Sequence, residues 1–313
     1  MEAGAGARPP AATSWLYGAR DLVSDYVALT KPRVISLLLV TTAATMFVAD
    51  SSPSLALLLA TMVGGYLAAG GAGAINHYIE RDIDARMSRT SRRPLPSGRI
   101  EPRAALWFGI VLGALSFTLF ALAVNMTAAL LAMAGLAGYV FVYTMWLKPR
   151  TTQNIVIGGA AGAVPPLVGW AAASGSLDPS AFYLFAIVFY WTPPHFWALA
   201  LRIRKDYEAA KVPMLPVVRG VPETARQIVL YTVLLVAISL VFYAVAAMGP
   251  VYLVAAVVLG AIFLWRATVL YRQAASPEGS LAQAIRLYRY SISYLTLLFL
   301  AVAVDALVVA RLT

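Results

Sequence analysis

The sequence has no cysteine and only two histidines, His77 and His195. Without cysteine, the chain has no disulfide scaffold, thiolate metal site, iron–sulfur cluster or cysteine nucleophile. Two histidines also make a structural zinc site a poor fit. Charged residues are equally scarce, at 12% of the 313 residues, against about 25% in an ordinary soluble domain. A water-soluble globule of this size could not cover itself with so few charges.

Hydrophobic residues make up 61% of the chain, and the mean hydropathy is +0.77. A run of about 17–25 apolar residues is long enough to cross a bilayer as a helix. We therefore predict an all-α, polytopic membrane protein with nine transmembrane helices, at residues 34–50, 55–79, 105–125, 127–147, 154–173, 180–201, 226–247, 251–271 and 288–310. The domain organisation that we expect is a cytoplasmic N-terminal tail (1–30) and one transmembrane domain (31–313), with long loops at 80–104 and 202–225.

The positive charges predict how the helices are oriented. All of the 24 Lys and Arg residues except Arg311 lie at or near alternate connections between the predicted spans. Cytoplasmic loops of membrane proteins collect Lys and Arg. The N-terminus is therefore predicted to lie inside, the C-terminus outside, and both long loops in the cytoplasm. The net charge of +10 follows from this topology, so nucleic acid is not an expected partner.

Three polar residues lie at the end of the second predicted span. Asn76, Glu80 and Asp84 are spaced by four, so on a helix they form one stripe. Two carboxylates and an amide oxygen suit Mg²⁺, which completes its shell with water and substrate phosphates. Ionisable groups in a spanning segment are costly and are functional candidates by default. The alternative is a helix end that reaches water, with acids that balance nearby arginines.

Basic residues near this stripe are candidates for binding phosphate. The segment 86–99 supplies several guanidinium groups, which bind phosphate oxygens through forked hydrogen bonds. Lys148 could neutralise a diphosphate leaving group, and Tyr143 could donate a hydrogen bond to it. Asp206 is a candidate ligand for a second metal ion. The alternatives are a basic loop that meets anionic lipid and an interfacial tyrosine beside a snorkelling lysine.

Two proline pairs lie inside predicted spans, at Pro165-Pro166 and Pro193-Pro194. Proline removes backbone hydrogen bonds, and at membrane depth this is tolerated only inside protein or beside a cavity. The aromatic residues close by would suit a large flat or polyisoprenoid ligand: Trp170, Trp191, His195, Phe196 and Trp197. His195 could ligate iron or transfer a proton; the alternative is a buried histidine that is hydrogen-bonded to the backbone.

Together these segments resemble the UbiA superfamily of intramembrane prenyltransferases. The pattern Asn76-x-x-x-Glu80-x-x-x-Asp84 is typical of the superfamily. The runs RTSRRPLPSGR, QNIVIGGAAGAVPPLVGW, TPPHFWALA and VPMLP resemble the branch that acts on haem. The resemblance covers almost all of the chain from about residue 29. It implies a bundle of nine helices around a central cavity.

The resemblance implies that a farnesyl group passes from farnesyl diphosphate to a vinyl group of haem B, with addition of water, to give haem O. Mg²⁺ is the implied cofactor, held by Asn76, Glu80 and Asp84, and the same three residues with Lys148 and Tyr143 are the expected catalytic groups. The remaining expected contacts are with diphosphate (Arg81, Arg92, Arg93, Lys148 and Lys205) and with haem (His195, Trp191, Trp197, Arg202 and Arg204).

Two departures from the superfamily pattern bear on the metal sites. Glu80 replaces the commoner Asp, which keeps the charge but lengthens the arm. The second acid-rich motif is reduced to Asp206, with Arg202, Arg204 and Lys205 around it. These cations could bind the haem propionates, in which case the segment would not hold a second Mg²⁺.

Other functions remain open at the level of the sequence. A UbiA-type enzyme that prenylates a quinone precursor would share the stripe of Asn76, Glu80 and Asp84. A membrane transporter would share the proline-broken helices, and a scaffold or haem-binding subunit would be indifferent to Mg²⁺. The resemblance to the branch that acts on haem also suggests a location in the inner membrane of the cell. It suggests a haem A synthase or an oxidase-assembly protein as a partner.

Overall fold

The computed structural model of the chain describes residues 18–312, and in this range every regular element is a helix. This confirms the all-α prediction. The elements are α1 (Ala19–Thr30), α2 (Pro32–Ala49), α3 (Leu55–Arg86), α4 (Pro102–Ala123), α5 (Met126–Ala137, continued by a π-helix at Gly138–Leu147), α6 (Asn154–Ser174), α7 (Pro179–Arg202), α8 (Arg204–Ala209), α9 (Leu215–Val218), α10 (Gly220–Val245), α11 (Pro250–Arg272) and α12 (Pro277–Leu312).

Within residues 18–312, nine helices are long and apolar enough to cross a membrane, and they correspond to the nine predicted spans. The predicted loops contain more helix than expected. Helix α3 runs on to Arg86, so the polar stripe stays helical, and α8 and α9 occupy part of 202–225. The long α3 suits its sequence, because the residues from Ala74 to Arg86 include neither proline nor a further glycine.

The segment predicted as an N-terminal tail contains α1. This helix buries Leu29 and Thr30 against the bundle, although Leu22, Val23 and Val27 remain exposed. Asp25 anchors it through two hydrogen bonds from Arg99, at 2.7 and 3.1 Å. The part of the predicted tail before residue 18 lies outside the described residues. Helix α1 therefore belongs to the folded bundle.

Small residues let α3 approach its neighbours closely. A Cβ atom on Gly71 would lie 2.7 Å from the carbonyl oxygen of Gly109 in α4. A Cβ atom on Gly73 would lie 3.0 Å from the carbonyl oxygen of Leu29 at the end of α1. Lipid tails are as apolar as the side chains, so helices in a bilayer associate through such close packing rather than through a hydrophobic drive. Glycine in α3 thus sets the position of the polar stripe.

The π-helix after α5 shapes the next part of the bundle. Its wider turns shift the register of the side chains, and Lys148 N–H donates to the carbonyl of Tyr143, five residues earlier, at 2.9 Å. Tyr143 is buried where its ring meets Gly158 of α6, a position at which a Cβ atom would collide with the ring. This arrangement directs Lys148 toward the interior, where it is 7% exposed.

The two proline pairs lie inside α6 and α7 without ending either helix. Sequence analysis predicted broken backbone beside a cavity. The helices continue through both pairs, and Pro165 lines a groove in the bundle. Both helices therefore continue although the prolines donate no backbone hydrogen bond. The predicted association with a cavity is found for Pro165.

We predict that Gly71→Ala destabilises the fold, because the new methyl group would meet the backbone of Gly109. Overpacking of this kind costs about 1–3 kcal/mol, more than the helix propensity that alanine gains. The measurement is the midpoint of thermal unfolding in detergent. Gly162→Ala is the matched control, because a Cβ atom there has nothing within 4 Å. An equal midpoint for the two variants would contradict the prediction.

Candidate active site

The polar stripe of α3 is buried at one end of the bundle. Asn76, Glu80 and Asp84 are 1%, 4% and 0% exposed. Sequence analysis predicted that spacing by four would bring them to one face, and the helix does so. Buried carboxylates are stable only when they are paired. The partners of these three side chains therefore define the site.

Lys31 is the partner of Asn76. Its ammonium donates to Asn76 Oδ1 at 2.6 Å and to the hydroxyl of Tyr139 at 3.4 Å. The amide nitrogen of Asn76 donates in turn to Thr144 Oγ1 at 3.0 Å, so the amide is oriented with its oxygen toward Lys31. Burial of the ammonium is the main influence on Lys31 and lowers its pKa to about 7.

Lys148 is the partner of Glu80, with 2.5 Å between Nζ and Oε1. Burial alone would lower the pKa of Lys148, but the charge and hydrogen bond of Glu80 outweigh it, and the pKa is raised. Lys148 is therefore held in its charged form. The same ammonium lies 5.9 Å from the ring centroid of Tyr143, so Lys148 contacts the stripe and Tyr143 lies beside Lys148.

Arg93 is the partner of Asp84. One of its nitrogens donates to both carboxylate oxygens, at 3.0 and 2.8 Å. Thr90 Oγ1 also donates to the backbone carbonyl of Asp84 at 2.8 Å, which ties the following loop to the end of α3. Asp84 therefore receives its counter-charge from the loop that follows its own helix.

The other predicted diphosphate ligands lie away from the stripe. Arg81 donates to the carbonyl of Tyr78 at 2.8 Å and covers the ring of that residue. Arg92 and Lys205 are exposed. Neighbouring positions on a helix point in different directions, so Arg81 cannot share the face of Glu80. Of the five predicted residues, Arg93 and Lys148 contact the stripe.

An apolar groove of about 200 Å³ is lined in part by Lys31, which donates to Asn76, and by Tyr139. Its walls come from α2, α3, α5 with its π-helix, and α6, and most of its lining is aliphatic, as at Leu38, Leu136 and Val168. Small residues such as Ala72 and Gly162 leave room along the groove. Lys31, which donates to Asn76, thus connects the stripe to the apolar groove.

Asp206, the predicted candidate ligand of a second metal ion, is hydrogen-bonded to Ser88. Its carboxylate accepts hydrogen bonds from Ser88 N–H at 3.2 Å and from Ser88 Oγ at 2.8 Å. Within residues 18–312, no group of three or more His, Asp and Glu side chains is arranged to hold a metal ion. Ser88 follows α3, and Asp206 lies in α8 after α7. Their hydrogen bonds therefore link these two segments.

A second, basic cavity of about 1030 Å³ lies beside this link. Arg202, Arg204 and Lys205 line it together with Arg89 and with Tyr288 of α12. Sequence analysis grouped the first three cations around Asp206, and the structure places them on one cavity wall. The cavity also has apolar lining, as at Leu199 and Leu281.

His195 belongs to α7, and its side chain contacts α12. Its Nδ1 is 2.7 Å from the hydroxyl of Ser291, and its ring stacks on Trp191 with a centroid distance of 4.2 Å. The ring of Tyr288, which lines the basic cavity, is 5.0 Å away. Trp191 Nε1 donates to the backbone carbonyl of Ser291 at 2.8 Å. His195 and Trp191 therefore form one aromatic cluster that reaches the cavity through Tyr288.

Trp197, which we grouped with these residues, lies elsewhere. Its ring meets Tyr231 of α10 edge-on at 5.3 Å, and it lines a separate cavity of about 550 Å³ with Arg219 and Arg226. Two positions along a helix correspond to about 200° of rotation, which turns Trp197 away from His195. The structure therefore divides the predicted haem contacts between two sides of α7.

Sequence analysis assigned no role to Lys31, Tyr139 or Thr144, although all three take part in the contacts of Asn76. One signal was present in the run Leu29-Thr30-Lys31-Pro32-Arg33. Proline is favoured at the first position of a helix, so Pro32 indicates that α2 begins there and that Lys31 directly precedes it. The separation of 45 residues between Lys31 and Asn76 hid the contact itself.

Comparison with known proteins identifies the family of the chain. Residues 37–308 match the UbiA prenyltransferase family. The chain belongs to this family. Curated relatives named protoheme IX farnesyltransferase include those of Chloroflexus aurantiacus (53% identical over 93% of this chain and 49% of the relative) and Frankia alni (54% identical over 91% of this chain and 99% of the relative). The chain spans about half the length of the first relatives that it matches.

Solved structures of other members of this family share the fold. A structure described as digeranylgeranylglyceryl phosphate synthase has a TM-score of 0.74 and 18% identity, over 91% of this chain and 98% of its own. A UbiA homologue from Archaeoglobus fulgidus, bound to DMAPP and Mg²⁺, has a TM-score of 0.67 and 17% identity, over 87% and 99%. At this identity the likeness concerns the fold, and it confirms the predicted UbiA-type bundle.

We predict that Lys148→Met destabilises the protein strongly, because it leaves the carboxylate of Glu80 buried without its counter-charge. Breaking a buried pair in this way costs about 3–5 kcal/mol. The measurement is the free energy of unfolding in mixed detergent micelles. The double variant Lys148→Met with Glu80→Gln removes both charges and should regain most of the loss. A double variant no more stable than the single one would contradict the role of this pair.

Proposed function

We propose that the protein transfers a farnesyl group from farnesyl diphosphate to a vinyl group of haem B, with addition of water, to give haem O. The observation that carries the proposal is that Lys31, which donates to Asn76 in the buried, cation-paired stripe, also lines the apolar groove. A prenyl diphosphate has a polyanionic head and an apolar tail, and this site offers a matching part for each. The curated relatives that carry the name protoheme IX farnesyltransferase support haem B as acceptor.

Mg²⁺ is the cofactor that we propose. Two carboxylates and one amide oxygen, buried on the same helix face, are the hard oxygen donors that this ion prefers. Asn76, Glu80 and Asp84 would hold it and leave room for phosphate oxygens. The ion supplies positive charge that stabilises the departing diphosphate. A family member from Archaeoglobus fulgidus was solved with Mg²⁺ and DMAPP. Asp206, which pairs with Ser88, remains only a candidate for a second ion.

The residues of the chain contribute charge, position and exclusion of water. When the allylic C–O bond breaks, its electron pair goes to the diphosphate oxygen, and Lys148 and Arg93 stabilise the negative charge that develops there. The ring of Tyr143 lies 5.9 Å from the Lys148 ammonium and helps to position it. The groove keeps water from the allylic cation, so that the haem vinyl group attacks it. Water then adds to the second cation and loses a proton, which leaves a hydroxyethylfarnesyl side chain.

For haem we propose the basic cavity beside α7, α8 and α12. Arg202, Arg204 and Lys205 supply cations for two propionates, since arginine binds carboxylates through forked hydrogen bonds. Tyr288 carries the aromatic wall inward to His195 and Trp191. Trp197 faces a different cavity, so we leave it out of this proposal.

We also propose that the site opens to the cytoplasmic side of the inner membrane. Lys31 precedes the first span, the stripe ends the second, and Lys148 and Asp206 follow the fourth and the sixth, so all of them lie at one end of the bundle. That end also holds almost all of the Lys and Arg residues, which predicts a cytoplasmic location. A haem A synthase or an oxidase-assembly protein is the proposed partner, because haem O is consumed by haem-copper oxidase assembly.

The function is tested by incubating the purified protein with haem B, farnesyl diphosphate and Mg²⁺, followed by mass analysis of the haem. We expect a haem heavier by one farnesyl group and one hydroxyl group. Asp84→Asn should lower the rate by about 10²–10³-fold, the cost typical of losing one electrostatic stabiliser. Asp82→Asn is the matched control on the same helix, because the side chain of Asp82 is 79% exposed.

Two outcomes would count against the proposal. Equal rates for Asp84→Asn and Asp82→Asn, with both proteins folded, would remove the stripe from the reaction. Prenylation of an aromatic quinone precursor in a parallel incubation, without any change in haem, would assign the chain to the other branch of the family.

We predict that His195→Ala lowers the yield of farnesylated haem and weakens haem binding, because the cluster with Trp191 and Tyr288 loses its central ring. Haem affinity is measured from the change in the absorbance of haem on titration. Ser291→Ala is the companion variant: it removes the hydrogen bond to Nδ1 and keeps the ring. Unchanged haem O yield from His195→Ala would exclude a role for this residue as haem ligand or base.

A further inference from the structure

Each of the three proposed metal ligands is already held by a cation of the protein. Lys31 Nζ lies 2.6 Å from Asn76 Oδ1, Lys148 Nζ lies 2.5 Å from Glu80 Oε1, and Arg93 contacts both oxygens of Asp84. These are the oxygens that would have to face a metal ion. A metal ion and these three cations therefore compete for the same lone pairs.

The charge of the cluster opposes the entry of a metal ion by itself. Three basic side chains, Lys31, Lys148 and Arg93, face two carboxylates. No excess negative charge is left for a divalent ion, and burial makes every like-charge contact more costly than it would be in water. Two carboxylates and an amide would bind the ion only if the cations moved away, and these would then need new partners.

A diphosphate group supplies those partners. Its oxygens accept forked hydrogen bonds from arginine and point contacts from lysine, and its negative charge offsets both the metal ion and the displaced cations. The lysine stems are flexible, so Lys31 and Lys148 can turn from the stripe to phosphate oxygens without a change of backbone.

We propose that the stripe takes up its divalent cation only together with a diphosphate, to which Lys31, Lys148 and Arg93 transfer from Asn76, Glu80 and Asp84. This inference rests on the proposed function, which makes a diphosphate the substrate. It adds a role for Lys31, which touches the stripe and also lines the apolar groove. From that place it meets the phosphate nearest to the prenyl chain.

Lys31 is also the cation that can be removed with least damage. Its hydrogen-bond partners, Asn76 and Tyr139, are neutral, so Lys31→Met leaves no carboxylate without its own pair. Its backbone has φ 60° and ψ 55°, an unusual conformation for a residue with a side chain. Lys211 is the matched control, because it is a lysine with φ 55° that is exposed and lies outside the stripe.

The test measures protein-bound Mn²⁺ by equilibrium dialysis of the full chain in lipid nanodiscs, with and without inorganic pyrophosphate. Soluble complexes of Mn²⁺ and pyrophosphate equalise across the membrane, so only the protein creates a difference. We expect pyrophosphate to tighten Mn²⁺ binding by about 5–150-fold, the usual range of coupling between two sites, and Mn²⁺ to tighten pyrophosphate binding equally. Lys31→Met should bind Mn²⁺ alone more tightly and show less coupling, whereas Lys211→Met should match the wild type.

Three results would overturn the inference: Mn²⁺ binding to the wild type that is equally tight without pyrophosphate, coupling that Lys31→Met leaves intact, or no Mn²⁺ binding under any condition. Lys31→Gln, which removes the charge and keeps a hydrogen-bond donor, provides a second test with the same expected direction if Lys31→Met fails to fold. Haem is absent from the dialysis, so its outcome is separate from that of the haem assay. Strong coupling in a chain that never alters haem would keep this inference and reject only the acceptor.

Discussion

Contacts between three cations and the buried polar stripe of α3 are the interaction on which the functional end of this bundle depends. Lys31 comes from the junction of α1 and α2, Arg93 from the loop after α3, and Lys148 from the end of the π-helix. A buried carboxylate without its partner is costly. Arg93 and Lys148 must therefore reach their places for the carboxylates of α3 to be stable, so these two ion pairs favour one arrangement of the segments that carry them.

The helix packing makes these contacts reachable. Gly73 lets the carbonyls of Leu29 and Thr30 approach α3, and Lys31, the next residue, then lies beside Asn76, one turn further along. A larger residue at Gly73 would push α1 away and withdraw the ammonium from the amide. The same small residues that close the contact also open the groove, since Gly73 lines it. Packing, charge and cavity are thus set by one face of α3.

The sequence predicted the features that depend on local periodicity. Apolar runs gave nine spans, and spacing by four put Asn76, Glu80 and Asp84 on one face. It missed contacts between distant segments, because the pairing of Lys31 with Asn76 depends on how α1 packs. It also grouped Trp197 with His195, since nearness in sequence does not show which side of α7 a ring takes. The resemblance to a family supplied the reaction, which periodicity alone left open.

The distribution of charge separates two basic regions that the sequence merged. Asp206 is engaged by Ser88, so it adds no negative charge to the stripe, and the cations around it line a different cavity. One region has carboxylates that could bind a metal ion and thereby hold a diphosphate. The other is dominated by arginine and lysine, which suits carboxylate groups without a metal ion. The proposed reaction, which joins a prenyl diphosphate to a dicarboxylate, would use both kinds of anion site, and the link between Ser88 and Asp206 connects the segments that carry them. The reduction of the second acid-rich motif to Asp206 is therefore a change that fits an acidic acceptor.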